Sequence, residues 1–315
     1  MKISKIKKKI KNYNFLCLGA CHKDNILKLK KEYKLFRTNP VNTEIKQGGV
    51  CANIANNLSF FSKNIHFFSL KLRNKQKEGL IKKKFNYYNI SNIKNDCFYS
   101  AILENNGKLL LGLASNKTYE SINKIDFIKI NNKLKKNSFF ILDLCFNLEL
   151  TQKIINYYSK KKINIFVAGT SSFKIYRIKK LLNKISALSL NEDEISALTN
   201  KRNINDSIKY ILRKNPNIYL VITRGTKPVI MIYNQIKYIG YVPLIKVKNE
   251  NGAGDAFAAM FFLSIASNFS PITTLSLSIT LGCINAMDYK YTNMIDYNKM
   301  FELIYKKITI KKNVK

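Results

Sequence analysis

Apolar residues follow two rhythms along this chain. Short unbroken runs at 15–18 and 65–70 have the form of strands buried on both faces of a parallel sheet. The first run ends in Gly19, and residues 25–36 beyond it are mixed, with only weak alternation. Behind Gly48-Gly49, residues 52–62 place Ile54, Ala55, Leu58 and Phe61 at helical spacing. Segments 97–104 and 108–114 flank Asn105-Asn106-Gly107, where Gly107 supplies the positive φ of a tight turn; the pair predicts a β-hairpin. A hairpin does not fit inside a doubly wound parallel sheet, so it predicts a small antiparallel accessory layer.

From residue 139 the rhythm is strand then helix. Strands are expected at 139–144, 163–168, 187–190 and 219–223, and helices at 150–161, 176–185, 192–199 and 204–214. A second hairpin, 229–233 with 236–241, turns at Asn234-Gln235. Two long apolar helices follow at 253–267 and 272–286, the second entered through Pro271, and Ile295-Asp296 caps a last helix to residue 306. No repeat and no Pro/Gly/Ser linker divides the chain, so 1–315 reads as one domain. The alternation predicts an α/β sandwich with a mainly parallel central sheet flanked by helices, and ligands at the carboxyl ends of its strands.

Composition narrows the picture. The hydrophobic fraction of 46% is enough for a large core. No stretch approaches the roughly 20 apolar residues of a membrane span. Residues 2–11 are basic and 15–21 apolar, a loose imitation of a signal peptide. The run stops at His22-Lys23-Asp24 with no small-residue cleavage site, so a basic tail leading into a buried strand is expected. The net charge is +36, from 55 Lys+Arg against 19 Asp+Glu. These lysines are spread along the whole chain and accompany no nucleic-acid signature, so they call for no nucleic-acid partner, although their field would draw in anionic ligands such as ATP. The cysteines at 17, 21, 51, 97, 145 and 283 have no metal spacing and read as buried thiols of a cytoplasmic protein. With only His22 and His66, a histidine-rich metal site is excluded.

The strongest chemical signal is Asn251-Gly252-Ala253-Gly254-Asp255, at the start of an apolar helix. Small residues there leave backbone N–H groups bare, and the helix dipole makes the place an anion site. An acid inside it makes sense as the base that takes a proton from an attacking hydroxyl. The plainer reading is an ordinary first-turn acid that favours the dipole. Gly48-Gly49 lets backbone approach a ligand closely, and the Asn53 amide can both donate to and accept from hydroxyls. The plainer reading of the pair is a turn.

Gly252-Ala253-Gly254-Asp255-Ala256-Phe257 resembles the signature of the PfkB, or ribokinase-like, kinases, and Gly48-Gly49 with Asn53 resembles their N-terminal sugar signature. The resemblance implies an anion hole from Gly252 to Gly254, Asp255 as general base, and Asp24, Gly48, Gly49 and Asn53 around the acceptor. It also implies Asn191 and Glu194 beside phosphate and Mg²⁺, the metal held mostly through water, and Thr223 and Gly225 near the nucleotide phosphates. Mg²⁺ keeps several waters and needs few carboxylates, which suits so sparse an acidic pair. ATP and Mg²⁺ are the implied cofactors, with a monovalent cation left open.

Within that family, Thr38-Asn39-Pro40 ahead of the glycine pair, and Ser171-Ser172-Phe173-Lys174, are similar to segments of pseudouridine kinases. This implies Asn39 and Lys174 at the substrate, Lys174 beside its base. It also implies a β-lid, about 25–46 and 97–114, that covers the acceptor, excludes water and pairs with a second subunit in a homodimer. The chain departs from the pattern at Leu70-Lys71-Leu72-Arg73-Asn74, at Ala52 and at Asn249. Other acceptors (ribose, fructose, adenosine) and a regulatory or nucleic-acid-binding protein on the same fold are the alternatives.

Overall fold

The computed structural model describes residues 1–72, 85–288 and 294–313. Its main sheet has ten strands in the order β14-β13-β12-β11-β10-β9-β8-β1-β4-β5. β1 (Asn14–Leu18) lies between β4 (Ile65–Lys71) and β8 (Ser138–Asp143). β5 (Asn86–Lys94), β9 (Asn164–Ala168), β10 (Ala187–Asn191) and β11 (Tyr219–Thr223) continue the parallel set. β12 (Val229–Tyr233), β13 (Ile236–Tyr241) and β14 (Thr309–Asn313) add antiparallel strands at one edge. The turn between β12 and β13 has positive φ at both Asn234 and Gln235, the geometry that matches strand twist in a two-residue hairpin.

Each central strand feeds two cores, because side chains alternate across a sheet. Phe15 and Cys17 enter one core and Leu16 and Leu18 the other. The first core is closed by α1 (Ile3–Ile10), α2 (Val50–Ser59), α8 (Ala253–Ala266), α9 (Pro271–Ala286) and α10 (Met294–Lys306). Across the sheet lie α3 (Lys117–Glu120), α4 (Phe127–Asn131), α5 (Leu148–Lys160), α6 (Glu192–Thr199) and α7 (Ile204–Lys214). α8 and α9 are apolar on nearly every side because they sit deep in the first core.

A second, four-stranded sheet has the order β3-β2-β6-β7. It comprises β2 (His22–Leu29), β3 (Val41–Gly48), β6 (Phe98–Leu103) and β7 (Leu109–Ser115). β6 and β7 form the expected hairpin across Gly107, and β2 and β3 form another.

Some expectations need correction. The basic N-terminal tail is a helix: Ile3, Ile6 and Ile10 recur at helical spacing and are buried, while the lysines point outward. Segment 176–185 is no α-helix but two 3₁₀ turns, Ile175–Ile178 and Leu182–Lys184. Among its buried residues Ile175, Ile178 and Leu181 are three apart, the period of the tighter helix. Strands β3, β5 and β14 were not legible as apolar runs; β14 reads TIKKN and is mostly exposed at the sheet edge. Residues 73 and 74 of the noted departure lie outside the described residues. No described helix is long and apolar enough to cross a membrane.

Candidate active site

The two glycine signatures, 202 residues apart, meet at one hydrogen bond: Asn53 Nδ2 donates to Asp255 Oδ2 at 2.8 Å. α2 and α8 pack side by side, which puts the first turn of each at the carboxyl end of the parallel strands. α2 begins there because Gly49 holds φ = 105°, and a Cβ on it would strike the carbonyl of Ala20. A side chain on Gly48 would run into the Asp24 carboxylate. Asp24 enters from β2, with its Oδ1 2.8 Å from His22 Nδ1.

Asp255 lies in the first turn of α8, after Gly252 at φ = 79°. Gly254 is exposed, with open space where a Cβ would be. The amides of Gly254 and Asp255 are first-turn N–H groups, which have no intrahelical partner and are positioned to receive an anion. The Ala253 amide is engaged otherwise, donating to Glu250 O at 3.2 Å. The Asp255 carboxyl is pushed up to about 6, first by burial, then by the neighbouring acids Asp143 and Asp24; the Asn53 amide and His22 act in the opposite direction.

Asn191 and Glu194 form a reciprocal cap at the start of α6. The Glu194 amide donates to Asn191 Oδ1 at 2.8 Å, and the Asn191 amide to Glu194 Oε2 at 2.9 Å. Glu194 is only 5% exposed, packed against Gly169. Its carboxyl is pushed up to about 7 by burial, with the charges of Asp255 and Asp193 adding to the rise. A cation between Glu194 and the phosphates would relieve that repulsion, so the pair fits a Mg²⁺ ion. Among the described residues no three His, Cys, Asp or Glu side chains converge, so most ligands of such an ion would be water and phosphate oxygens.

Thr223 Oγ1 donates to Leu190 O at 3.3 Å, tying β11 to β10. Nothing lies within 4 Å of where a Gly225 side chain would project. Lys174 is not a solvated lysine: its side chain is 13% exposed, and its Nζ lies 3.9 Å from Glu120 Oε1. Asn39 stays away from the group. It organises its own loop, accepting from the Lys34 amide at 2.7 Å and donating to Lys34 O and Arg37 O. That loop joins β2 and β3 at the end far from Asp24, which pairs with Lys46, whereas Leu29 pairs with Val41.

Sequence reasoning missed the residue beneath the site. Asp143, fully buried at the end of β8, accepts from the amides of Ala20 (2.9 Å), Cys51 (3.1 Å) and Cys145 (3.1 Å). It pins the β1 exit to the start of α2. A single acid inside the apolar run 139–144 was the available signal. His22 was noted only as a scarce residue, and Glu120, which joins Lys174 to Arg177 (3.0 Å to Nη2), carried no signal at all.

Comparison with known proteins gives the family and the fold. The model of the pfkB family carbohydrate kinase matches residues 16–293. A carbohydrate kinase from Agrobacterium tumefaciens superposes with a TM-score of 0.73 at 21% identity, covering 95% of this chain and 100% of that one. Phosphofructokinase-2 from Escherichia coli in complex with fructose-6-phosphate gives 0.71 at 13% identity, with 93% and 98% covered. Ribokinase from Arabidopsis thaliana, complexed with ribose and ATP, gives 0.68 at 14%, with 93% and 99% covered. Nothing among the curated proteins matches the sequence.

Proposed function

The chain belongs to the pfkB family of carbohydrate kinases, phosphotransferases that act on hydroxyl groups, and we propose that it transfers the γ-phosphoryl group of ATP to the primary hydroxyl of a ribosyl compound, with pseudouridine the leading acceptor. The observation that carries this reading is the Asn53–Asp255 contact, which sets an acid with a raised pKa at a helix N-terminus beside an amide able to bind hydroxyls.

In this reading Asp255 accepts the proton of the attacking hydroxyl as the oxygen bonds to phosphorus. The amides of Gly254 and Asp255 hold the moving phosphoryl group, where charge develops in the transition state. Asn53 orients the Asp255 carboxylate and contacts the acceptor; Asp24 grips its other hydroxyls. Mg²⁺ would neutralise phosphate charge when bound, held by Glu194 through water. Thr223 and Gly225 would lie along the nucleotide. Asp24 is near enough to raise the Asp255 pKa, and Lys174 is engaged with Glu120, so the electrostatics favour a neutral nucleoside or sugar over a sugar phosphate. The inward Lys174 ammonium would donate to a carbonyl of the base.

The small sheet would serve as the lid of a single kinase unit spanning the chain. The face opposite Asp24 carries Ile45, Leu111 and Leu113, all exposed apolar side chains, and would be covered by a second copy. The six buried, unbridged cysteines suit a reducing cytoplasm.

The test is ADP release with Mg-ATP and pseudouridine, uridine, adenosine, ribose and fructose in parallel. Selective turnover of pseudouridine is expected. Preference for another sugar discards that acceptor while keeping the chemistry; silence with all five, together with RNA binding of steep salt dependence, overturns the kinase reading.

A further inference from the structure

Four chain crossings join the small sheet to the body of the molecule: 19–21 into β2, 48–49 out of β3, 95–97 into β6 and 116–119 out of β7. Three of them meet at one buried phenol, and the second packs against the first. Tyr119, fully buried on α3, accepts from the Cys21 amide at 2.8 Å, and its hydroxyl reaches Cys21 O at 3.1 Å. Asn95, buried at the third crossing, donates to the same hydroxyl at 3.3 Å and also to Cys21 O. Ser69 Oγ lies 2.7 Å from the hydroxyl and donates to Gly19 O at 2.7 Å. From the second crossing, Gln47 Nε2 donates to Cys21 Sγ at 3.2 Å, and Gly49 packs on the Ala20 carbonyl.

Cys21 is three residues before Asp24, so whatever fixes its backbone fixes where that carboxylate enters the site. Glu120, next in sequence to Tyr119, holds Lys174 and Arg177. The α3 turn therefore touches the entry to the strand that carries Asp24 and, through Glu120, the largely buried Lys174.

We propose that Tyr119 is a positioning residue for the acceptor: its hydroxyl, bridging Ser69, Asn95 and the Cys21 backbone, fixes the hinge of the small sheet and thereby the placement of Asp24. This rests on the kinase reading of the Asp255 site. Removing the hydroxyl takes one acceptor from the buried Cys21 amide and one from Asn95, and the hinge is the element free to relax. The ring itself packs on Phe146 and stays in place in a Tyr119→Phe variant.

The test measures two things on Tyr119→Phe and, separately, Ser69→Ala: amide hydrogen exchange across the chain, and steady-state kinetics with the acceptor that wild type turns over best. Exchange is expected to rise in 22–29 and 41–48 and to stay unchanged in β8–β11. Acceptor KM is expected to rise about tenfold, with kcat and the KM for ATP within about threefold of wild type, the effect of one lost buried hydrogen bond felt at one subsite. Exchange in the small sheet identical to wild type overturns the proposal. So does a fall of kcat together with a rise of both KM values, which marks general loosening. Should wild type turn over no acceptor, the kinase reading fails, and the exchange arm still decides whether Tyr119 holds the hinge.

Discussion

Asn53 Nδ2 and Asp255 Oδ2 lie 2.8 Å apart, and this contact ties the Gly48-Gly49 segment to the Gly252–Asp255 segment. The amide stabilises the ionised carboxylate against burial, which pushes the Asp255 pKa up to about 6. A base must be unprotonated to work, so kcat/KM should bend near pH 6 and fall about tenfold per unit below it. In Asn53→Ala the bend should move upward by about one unit, the equivalent of one lost hydrogen bond to a charged group. A pH–rate profile of both proteins checks this.

Glu194 and Asp255 also set a pH dependence of stability. Both folded-state pKa values are raised, to about 7 and about 6. Their contribution is thus fully present below about pH 4 and lost as pH rises through 6 to 7. Glu194→Gln removes the larger part, because its neutral amide needs no ionisation. The variant should gain on the order of 3 kcal/mol over wild type at pH 8 and nothing at pH 4. Urea unfolding at the two pH values measures the difference.

The same substitution should weaken metal use. With Glu194 holding the cation as proposed, proton and cation would compete for it, and the Mg²⁺ concentration giving half-maximal activity should rise as pH falls below about 7. Glu194→Gln should raise it about tenfold and remove that pH dependence. Mg²⁺ titrations of ADP release at pH 6 and 8 provide the check.

Asp143 should matter to folding more than to chemistry. Replacing it with Ala strands three buried amides, those of Ala20, Cys51 and Cys145. A loss of about 3 kcal/mol is expected, seen as a lower thermal midpoint.

The parallel sheet, β5 apart, was legible because its strands are short apolar runs, and Asp255 because Gly-Ala-Gly before an apolar helix is an unusual way to begin one. β14 was not, since TIKKN carries no apolar period and gains strand form only by pairing with β13. The N-terminal helix hid behind its lysines; its isoleucine spacing, read over eight residues, was the overlooked signal. Asn39 illustrates the limit of motif matching: its side chain is spent on the 34–37 turn, and only the fold shows that this turn sits at the end of β2 far from Asp24. The Tyr119 hub draws on residues 21, 69, 95 and 119, which share no local pattern.

The proposed function stands on Asp255 deprotonating an acceptor hydroxyl. Its most direct test is pseudouridine-dependent ADP release by wild type and Asp255→Asn side by side, with phosphorus NMR to locate the new phosphate ester. A 5′-phosphate is expected from wild type, with at least about a 10²-fold loss of kcat in the variant with its fold intact. An Asp255→Asn enzyme that turns over near the wild-type rate would contradict it.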